Sequence, residues 1–353
     1  MNDLRVFLCH LKACEGGFYL KKIFRLISGF CLVSVLYGCA DKLEYYEESG
    51  SVFHTLYRIK YQAPRLLTGK IDAELQAFNL SLNPFNPNSI ISKVNNNEAV
   101  EADEWFMEVF NKAQEVSAVS GGAFDATVAP FINLWGFGFS RADSVTPYMI
   151  DSVKTFVGYN KIRLEGRKVV KDDPRVILNF SAIAKGYACD VVALLLEREG
   201  VTNYMVDIGG EVTMRGVNQN GECWRIGINT PEDDTEGTNA ALEDTLQTCE
   251  PCGIATSGDY RNFYIKDGVR YGHTINPATG YPAGRNILSA TVMAKDCMTA
   301  DAYATAFMVM GIEKAVETAR SIPDIDYFFI FSDPDGNQMV SFSDNIQRYL
   351  SNR

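Results

Sequence analysis

The chain has 353 residues, of which 46% are hydrophobic and 12% aromatic. This composition supports a large buried core and excludes an intrinsically disordered protein. The formal net charge is -11 and no long basic run occurs, which argues against a nucleic-acid partner because phosphate neutralisation needs clustered cations.

The N-terminal part has the layout of a secretory signal. Two lysines precede an apolar stretch, residues 26–36, which is too short to span a membrane. Tyr37-Gly38-Cys39 follows the stretch and precedes polar residues. This junction resembles a bacterial lipobox, in which Cys39 would be acylated and become the mature N-terminus. A buried helix with an incidental cysteine is the alternative. We therefore expect an extracytoplasmic, membrane-anchored lipoprotein with a signal peptide over residues 1–38, a tether over 39–50 and a folded domain over 51–353.

Five of the nine cysteines follow Cys39. Cys249 and Cys252 have the spacing of a redox pair, but they follow an acidic segment instead of opening a helix. A local disulfide or two plain thiols is the favoured interpretation. Zinc is not favoured, because the predicted mature part contains only His54 and His273 and no second cysteine pair.

Hydrophobic periodicity predicts an alternation of strands and helices beyond the tether. The first half predicts a strand over 51–61, helices over 71–80 and 103–119, a buried strand over 176–180, a tight turn over 181–186 and a helix over 187–198. The second half predicts strands over 225–228, 262–265 and 327–331, a surface loop over 231–250 and a helix over 301–310. A strand, a turn of small residues and a helix, as predicted around residues 181–186, can offer backbone N–H groups to a phosphate.

Four stretches in a fixed order point to one family. They are residues 120–125 (SGGAFD) with 135–138 (WGFG), 181–187 (SAIAKGY), 273–280 (HTINPATG) and 299–305 (TADAYAT). Together they resemble the ApbE family of FAD:protein FMN transferases, over nearly all of the chain from about residue 50 onward. The resemblance implies an α+β fold with mixed sheets and covering helices in two interleaved subdomains, with FAD in the cleft between them.

The same resemblance implies the reaction. FAD is a substrate, and its FMN half is transferred in a Mg²⁺-dependent step to a Thr or Ser hydroxyl of an acceptor protein, with release of AMP. Redox-pump subunits or exported flavoproteins are the acceptors that the family implies. A Mg²⁺-dependent FAD pyrophosphatase and a non-catalytic flavin-binding lipoprotein are the alternatives.

The predicted metal site combines two side chains and two backbone groups. Asp301 and Thr305 lie four residues apart in a predicted helix, so they share one face, and both supply the hard oxygen atoms that Mg²⁺ prefers. By resemblance they match the family's metal-binding side chains, and the backbone carbonyls of Ala182 and Ala304 join them. Alternatively, Asp301 is an acidic residue at a helix start capped by Thr299, and Thr305 bonds to its own helix.

The resemblance also implies the residues that contact FAD. Lys185 follows a run of small residues and can meet a phosphate as a cation. Aromatic side chains can stack on the flavin or adenine ring, although a role in the core is the alternative for Phe53 and Phe85. Asn179 stands where the family commonly has Asp. The complete predicted set is Phe53, Phe85, Ala123, Phe124, Asp125, Asn179, Lys185 and Ile275.

His273 is the candidate general base. Imidazole is the side chain best matched to proton transfer near neutral pH, and in this family context we expect it to act on the acceptor hydroxyl. The alternative is a structural hydrogen bond before the turn that follows.

Overall fold

The computed structural model describes residues 42–137, 145–231, 242–258, 263–266, 269–284 and 286–351. Cys39 and the predicted signal peptide lie outside this part of the chain. No helix within it combines the length and the apolar character needed to cross a bilayer.

The described residues form fourteen strands and eight α-helices. The strands are β1 Glu44–Val52, β2 Thr55–Ala63, β3 Ile162–Glu165, β4 Lys168–Lys171, β5 Tyr204–Ile208, β6 Glu211–Arg215, β7 Trp224–Asn229, β8 Leu242–Thr248, β9 Cys252–Gly258, β10 Phe263–Lys266, β11 Val269–Gly272, β12 Ile287–Ala294, β13 Ile325–Ser332 and β14 Gln338–Phe342. The helices are α1 Thr68–Leu82, α2 Ile90–Asn95, α3 Glu104–Val119, α4 Ala129–Leu134, α5 Pro147–Lys154, α6 Ala184–Arg198, α7 Cys297–Met310 and α8 Ile312–Ser321.

An eight-stranded sheet with the order β1-β2-β5-β6-β9-β12-β13-β14 is the centre of the fold. The hairpins β3-β4, β7-β8 and β10-β11 form three small sheets. This combination of several sheets with helices confirms the α+β class. Each pairing among the described strands is antiparallel, so the sheets are not mixed in strand direction.

The large sheet divides two hydrophobic cores. Successive side chains of a strand point to opposite faces. Along β13, Tyr327 and Phe329 therefore enter the larger core, whereas Phe328 and Ile330 enter the smaller one. Helices α1, α3, α6 and α7 contribute to the larger core, and the β7-β8 hairpin to the smaller. The result is three layers: helices, sheet and hairpin.

Helix α3 confirms the prediction over 103–119. Asp103 is its N-cap, and the carboxylate accepts a hydrogen bond from the Phe106 N–H at 2.8 Å. Beyond its end, Gly121 and Gly122 adopt positive φ angles, which glycine does without steric cost. Cap, periodicity and stop signal agree, which explains why the prediction succeeds.

The single strand predicted over 51–61 is instead a hairpin. Phe53 and His54 have positive φ values of 53° and 61° and form the turn between β1 and β2. Residues 44–50, assigned to the tether, form most of β1, whose Glu44 pairs with Ala63 of β2. The tether prediction is wrong there because pairing with β2, and not a hydrophobic pattern, makes this polar segment a strand.

Val176, Leu178 and Phe180 are buried, as predicted for residues 176–180, but the segment is not a strand. The Leu178 N–H donates to Asn95 Oδ1, and Asn95 Nδ2 donates to the Leu178 carbonyl, both at 2.8 Å. The Asn179 N–H donates to the Ala126 carbonyl at 2.7 Å. One side chain and one loop therefore satisfy this backbone in place of a neighbouring strand.

The prediction of a surface loop over 231–250 is wrong for its last part, which contains strand β8. Strand β8 pairs with β7, and its Asp244 and Leu246 are buried. Residues 232–241 lie outside the described part. Because the segment as a whole is acidic, its composition gives no signal for the short strand that packs in the smaller core.

A disulfide joins Cys223 to Cys249, and Cys252 is a buried free thiol. The sequence suggested a bridge between Cys249 and Cys252 or two plain thiols, and both suggestions are wrong. The two half-cystines are 26 residues apart. They meet because Trp224 of β7 pairs with Thr248 of β8, which places the residue before β7 beside the residue after β8.

Candidate active site

Three elements meet at one point of the larger core. The first turn of α6 carries Lys185 and Gly186, β6 begins at Glu211, and the second turn of α7 carries Asp301. The Gly186 N–H donates to Asp301 Oδ2 at 3.0 Å, and the Lys185 ammonium forms an ion pair with Glu211. Side chains distant in sequence thus form one polar cluster.

Both helices start earlier than the sequence predicts. Helix α6 begins at Ala184 and not at residue 187, so Lys185 lies in a helical turn. Helix α7 begins at Cys297 after the N-cap Asp296, which accepts from the Thr299 N–H at 2.7 Å. The alternative that Asp301 is a helix-start residue capped by Thr299 is therefore wrong.

Gly186 allows α6 and α7 to approach each other closely. A Cβ atom at this position would stand 2.3 Å from the Cys297 carbonyl oxygen and 2.8 Å from Cβ of Asp301. No larger residue fits without separating the helices. The Gly186 N–H reaches the Asp301 carboxylate because of this close approach.

The acidic members of the cluster are deeply buried. Asp301 is 3% exposed and Glu211 5%. Burial raises the pKa of both carboxyl groups, that of Glu211 to about 7, while Lys185 lowers both. Burial lowers the pKa of Lys185, but Asp301 and Glu211 raise it further, to a value above the ordinary one. Lys185 is therefore a cation, and one ammonium faces two carboxyl groups.

The oxygen donors at this point suit Mg²⁺. Thr305 follows Asp301 by one turn of α7, and its hydroxyl lies 3.3 Å from the Ser257 hydroxyl of β9. Glu211 Oε2 is buried and has no hydrogen-bond partner among the described residues. Carboxylate, hydroxyl and carbonyl oxygens are hard ligands that favour Mg²⁺ over soft metals.

The backbone positions of the predicted site lie on the same two segments. Ala304 is fully buried within α7, and Ala182 lies in the turn before α6. In the described part of the chain, no three His, Cys, Asp or Glu side chains are grouped as a metal cluster. A cation here would therefore depend on hydroxyl and carbonyl oxygens beside Asp301.

An apolar cavity of about 100 Å³ lies beside Lys185. The predicted residues Phe53 and Phe85 both line it, as do Phe78 and Ser181. The Phe53 and Phe78 ring centroids lie 5.3 Å apart, and 51% of Phe85 is exposed. Aromatic rings and Lys185 thus border one space, an arrangement that can accept a planar ring beside a cationic side chain.

The predicted contacts over residues 123–125 do not line this cavity. Phe124 is buried in the larger core and Ala123 packs against it. The Asp125 carboxylate accepts hydrogen bonds from the Thr127 N–H and hydroxyl at 2.7 and 2.6 Å, and from the Tyr159 N–H at 2.8 Å. Burial raises its pKa against these hydrogen bonds, which lower it. The visible role of Asp125 is to hold its loop to Tyr159.

Asn179 and Ile275 make structural contacts. Asn179 Oδ1 accepts from the Ser181 N–H at 2.8 Å, which orders the turn before α6. Ile275 is buried in a small cluster with Phe131 and Ile150, against α4 and α5. Neither lines the cavity beside Lys185.

His273 lies directly after β11 and is half-buried. Two residues later, Ile275 pairs with Pro282, which closes the turn of the motif over residues 273–280. The Trp135 indole N–H donates to the Gly280 carbonyl at 2.8 Å, which ties this turn to the segment after α4. The motif that carries His273 is thus tied to the motif that begins at Trp135.

Sequence reasoning missed Glu211 and Asp190. The signal for Glu211 is weak: an acidic residue directly after Gly209-Gly210 at a strand start. Asp190 is an acidic residue in an otherwise apolar stretch of α6. Their partners belong to other elements, so no local pattern reveals them.

The comparisons with known proteins agree with the sequence motifs. The ApbE family profile matches residues 53–329. A protein named FAD:protein FMN transferase from Vibrio cholerae is 38% identical over 302 residues, which cover 82% of this chain and 89% of that protein. Its namesake from Haemophilus influenzae is 34% identical over 329 residues, which cover 88% and 94%. The solved structure of flavin transferase ApbE from Vibrio cholerae has a TM-score of 0.77 at 34% identity and covers 87% of this chain and 100% of that one. On these matches and on its motifs, the chain belongs to the ApbE family.

Proposed function

We propose that the protein is an FAD:protein FMN transferase. The hydroxyl oxygen of an acceptor Thr or Ser bonds to the FMN-side phosphorus of FAD, the bond from that phosphorus to AMP breaks, and the hydroxyl proton is lost. The observation that carries this proposal is the convergence of Lys185, Glu211 and Asp301 beside an aromatic cavity. The relatives that share the family bear the same name.

The residues of the cluster have distinct tasks in this proposal. Asp301 and Thr305, with the carbonyl groups of Ala182 and Ala304, would hold Mg²⁺, which when bound neutralises phosphate charge. Lys185 supports the same phosphates as a cation, and Phe53 and Phe85 receive a planar ring. Positioning and charge neutralisation are the main requirements of phosphoryl-type transfer.

His273 would accept the proton of the acceptor hydroxyl. A lost general base slows a reaction roughly 10²–10⁴-fold without necessarily weakening substrate binding. His273→Ala should therefore bind FAD with nearly unchanged affinity and transfer FMN more slowly by that factor. If binding and transfer were lost together, His273 would be a ligand contact or a structural residue.

One incubation separates this function from its alternatives. Purified protein, FAD, Mg²⁺ and an acceptor protein should yield AMP and a covalently fluorescent acceptor. Free FMN and AMP without labelled acceptor would identify a pyrophosphatase. Intact FAD would identify a flavin-binding protein.

We further propose that the enzyme acts outside the cytoplasm, anchored to the membrane through acylated Cys39. The disulfide between Cys223 and Cys249 supports this location, because disulfides persist in oxidising compartments. Mass spectrometry of the mature N-terminus is the test. An unlipidated chain that starts elsewhere would remove the anchor and leave the enzymatic proposal intact.

A further inference from the structure

One carboxylate on α6 is hydrogen-bonded to both of the other elements of the polar cluster, β6 and α7. Asp190 of α6 accepts hydrogen bonds from the Cys297 N–H at 3.0 Å and the Met298 N–H at 2.8 Å, at the start of α7. It also accepts from the Thr213 hydroxyl of β6 at 2.7 Å. The three donors thus come from two different elements and meet on a third.

Each of these contacts lies one helical turn, or two residues along a strand, from a residue of the cluster. Asp190 follows Gly186 by four residues, one turn of α6, and Cys297 precedes Asp301 by four, one turn of α7. Thr213 follows Glu211 by two residues and therefore lies on the same face of β6. Asp190 and its partners form a layer directly next to the cluster.

The chemistry of a carboxylate suits this position. Its two oxygens accept from three donors, and a negative charge is favourable at a helix N-terminus, where unpaired N–H groups point outward. An amide in its place offers one accepting oxygen, and its NH₂ group would face a backbone N–H. Asn is therefore a sharp test, because it keeps the size and removes the acceptor.

We propose that Asp190 is a positioning residue that sets the spacing between Lys185, Glu211 and Asp301. The proposal rests on the function proposed above, because that function gives the spacing its meaning. Loss of the layer lets the start of α7 move relative to α6 and β6. The cation ligands on α7 then lose their alignment with the turn before α6.

The test compares two helix-capping carboxylates. Asp103 is the matched control, because it caps α3, accepts from the Phe106 N–H and also accepts from the Ser81 hydroxyl, both at 2.8 Å. None of its partners belongs to the cluster. Asp190→Asn and Asp103→Asn should both lower Tm, and only Asp190→Asn should alter the Mg²⁺ requirement.

The readout is the Mg²⁺ concentration that gives half of the maximal Tm increase with FAD present and no acceptor. We expect a rise of about tenfold or more for Asp190→Asn, as is usual for residues that orient metal ligands, and less than twofold for Asp103→Asn. An unchanged requirement in Asp190→Asn would overturn the proposal. Because no acceptor is used, the assay still reports on Asp190 if the wild-type protein fails to transfer FMN.

A milder variant covers the case in which Asp190→Asn does not fold. Thr213→Val removes one of the three hydrogen bonds and leaves the helix cap intact. It should raise the Mg²⁺ requirement by a smaller factor. Thr213→Val with a wild-type requirement, together with an unfolded Asp190→Asn, would assign Asp190 to stability alone.

Discussion

Gly186→Ala tests how closely α6 and α7 must approach for the site to form. The added Cβ would stand 2.3 Å from the Cys297 carbonyl oxygen and 2.7 Å from its carbonyl carbon, whereas ordinary contact begins near 3.4 Å. Both obstacles are backbone atoms, which cannot rotate away as a side chain can. The helices must therefore separate by about 1 Å, on the scale of the backbone shifts that overpacked cores show.

The expected loss of stability is a difference of two terms. Overpacking against rigid backbone lies near the upper end of its usual range, about 3 kcal/mol. Alanine gains about 1 kcal/mol over glycine in a helix. The net loss is about 2 kcal/mol, which corresponds to roughly 4 °C in Tm for a domain of this size.

The assay pairs this variant with Gly69→Ala in α1, where an added Cβ meets nothing within 4 Å. Gly69→Ala should leave Tm unchanged or raise it slightly and should not affect FMN transfer. Gly186→Ala should lower Tm and weaken Mg²⁺-dependent FAD binding, because the backbone N–H of residue 186, which donates a hydrogen bond to Asp301, moves away from it. A Gly186→Ala protein as stable and active as wild type would refute the claim that this close approach is needed.

Three further predictions concern bonds and charges elsewhere. Cys223→Ser removes the disulfide with Cys249 and should cost about 3 kcal/mol of unfolding free energy; a reductant should then lower the Tm of wild type but not of the variant. Burial lowers the pKa of Lys171 to about 8, below its unfolded value of about 10.4. Between pH values of about 8 and about 10.4 the unfolded chain therefore binds more protons than the folded one, and stability should rise with pH. Chemical denaturation of Lys171→Met should lack that rise. Lys185→Met leaves Glu211 unpaired and should lower the free energy of unfolding by about 3 kcal/mol, the lower end of the usual range, since 30% of the lysine side chain is exposed. Adding Glu211→Gln should recover most of this loss of stability. A double variant with no recovery would contradict the pairing of Lys185 with Glu211.

Elements with their own start and stop signals were predictable from the sequence. Helix α3 has a capping Asp103, a periodic apolar face and two glycines after its end. Strand β1 has none of these signals. Its residues 44–50 read EYYEESG, and they form a strand because β2 pairs with them. The fold class follows from the periodic elements, whereas the sheet edge requires knowledge of the pairing.

Some residues of the candidate site were likewise predictable from the sequence, and others were not. Lys185, Asp301 and Thr305 lie in motifs that the family resemblance identifies, and the structure brings Lys185 and Asp301 into one cluster. Glu211 and Asp190 have no such local signal, because their meaning depends on β6 and α7 approaching α6. Asp125 shows the opposite case, since its motif suggests a ligand contact and its carboxylate is occupied by backbone and hydroxyl donors.

The pairing of β2 with β5 has a consequence for the order of folding. Tyr57 pairs with Ile208 and Tyr61 with Tyr204, so about 140 residues separate two neighbouring strands. The chain must pay the entropy of closing this loop before the pairing stabilises it, which slows folding. When the chain emerges N-terminus first, the β1-β2 hairpin waits for β5 with its inner edge unpaired. An early hairpin of this kind is a site for mispairing or chaperone binding until the middle of the chain arrives.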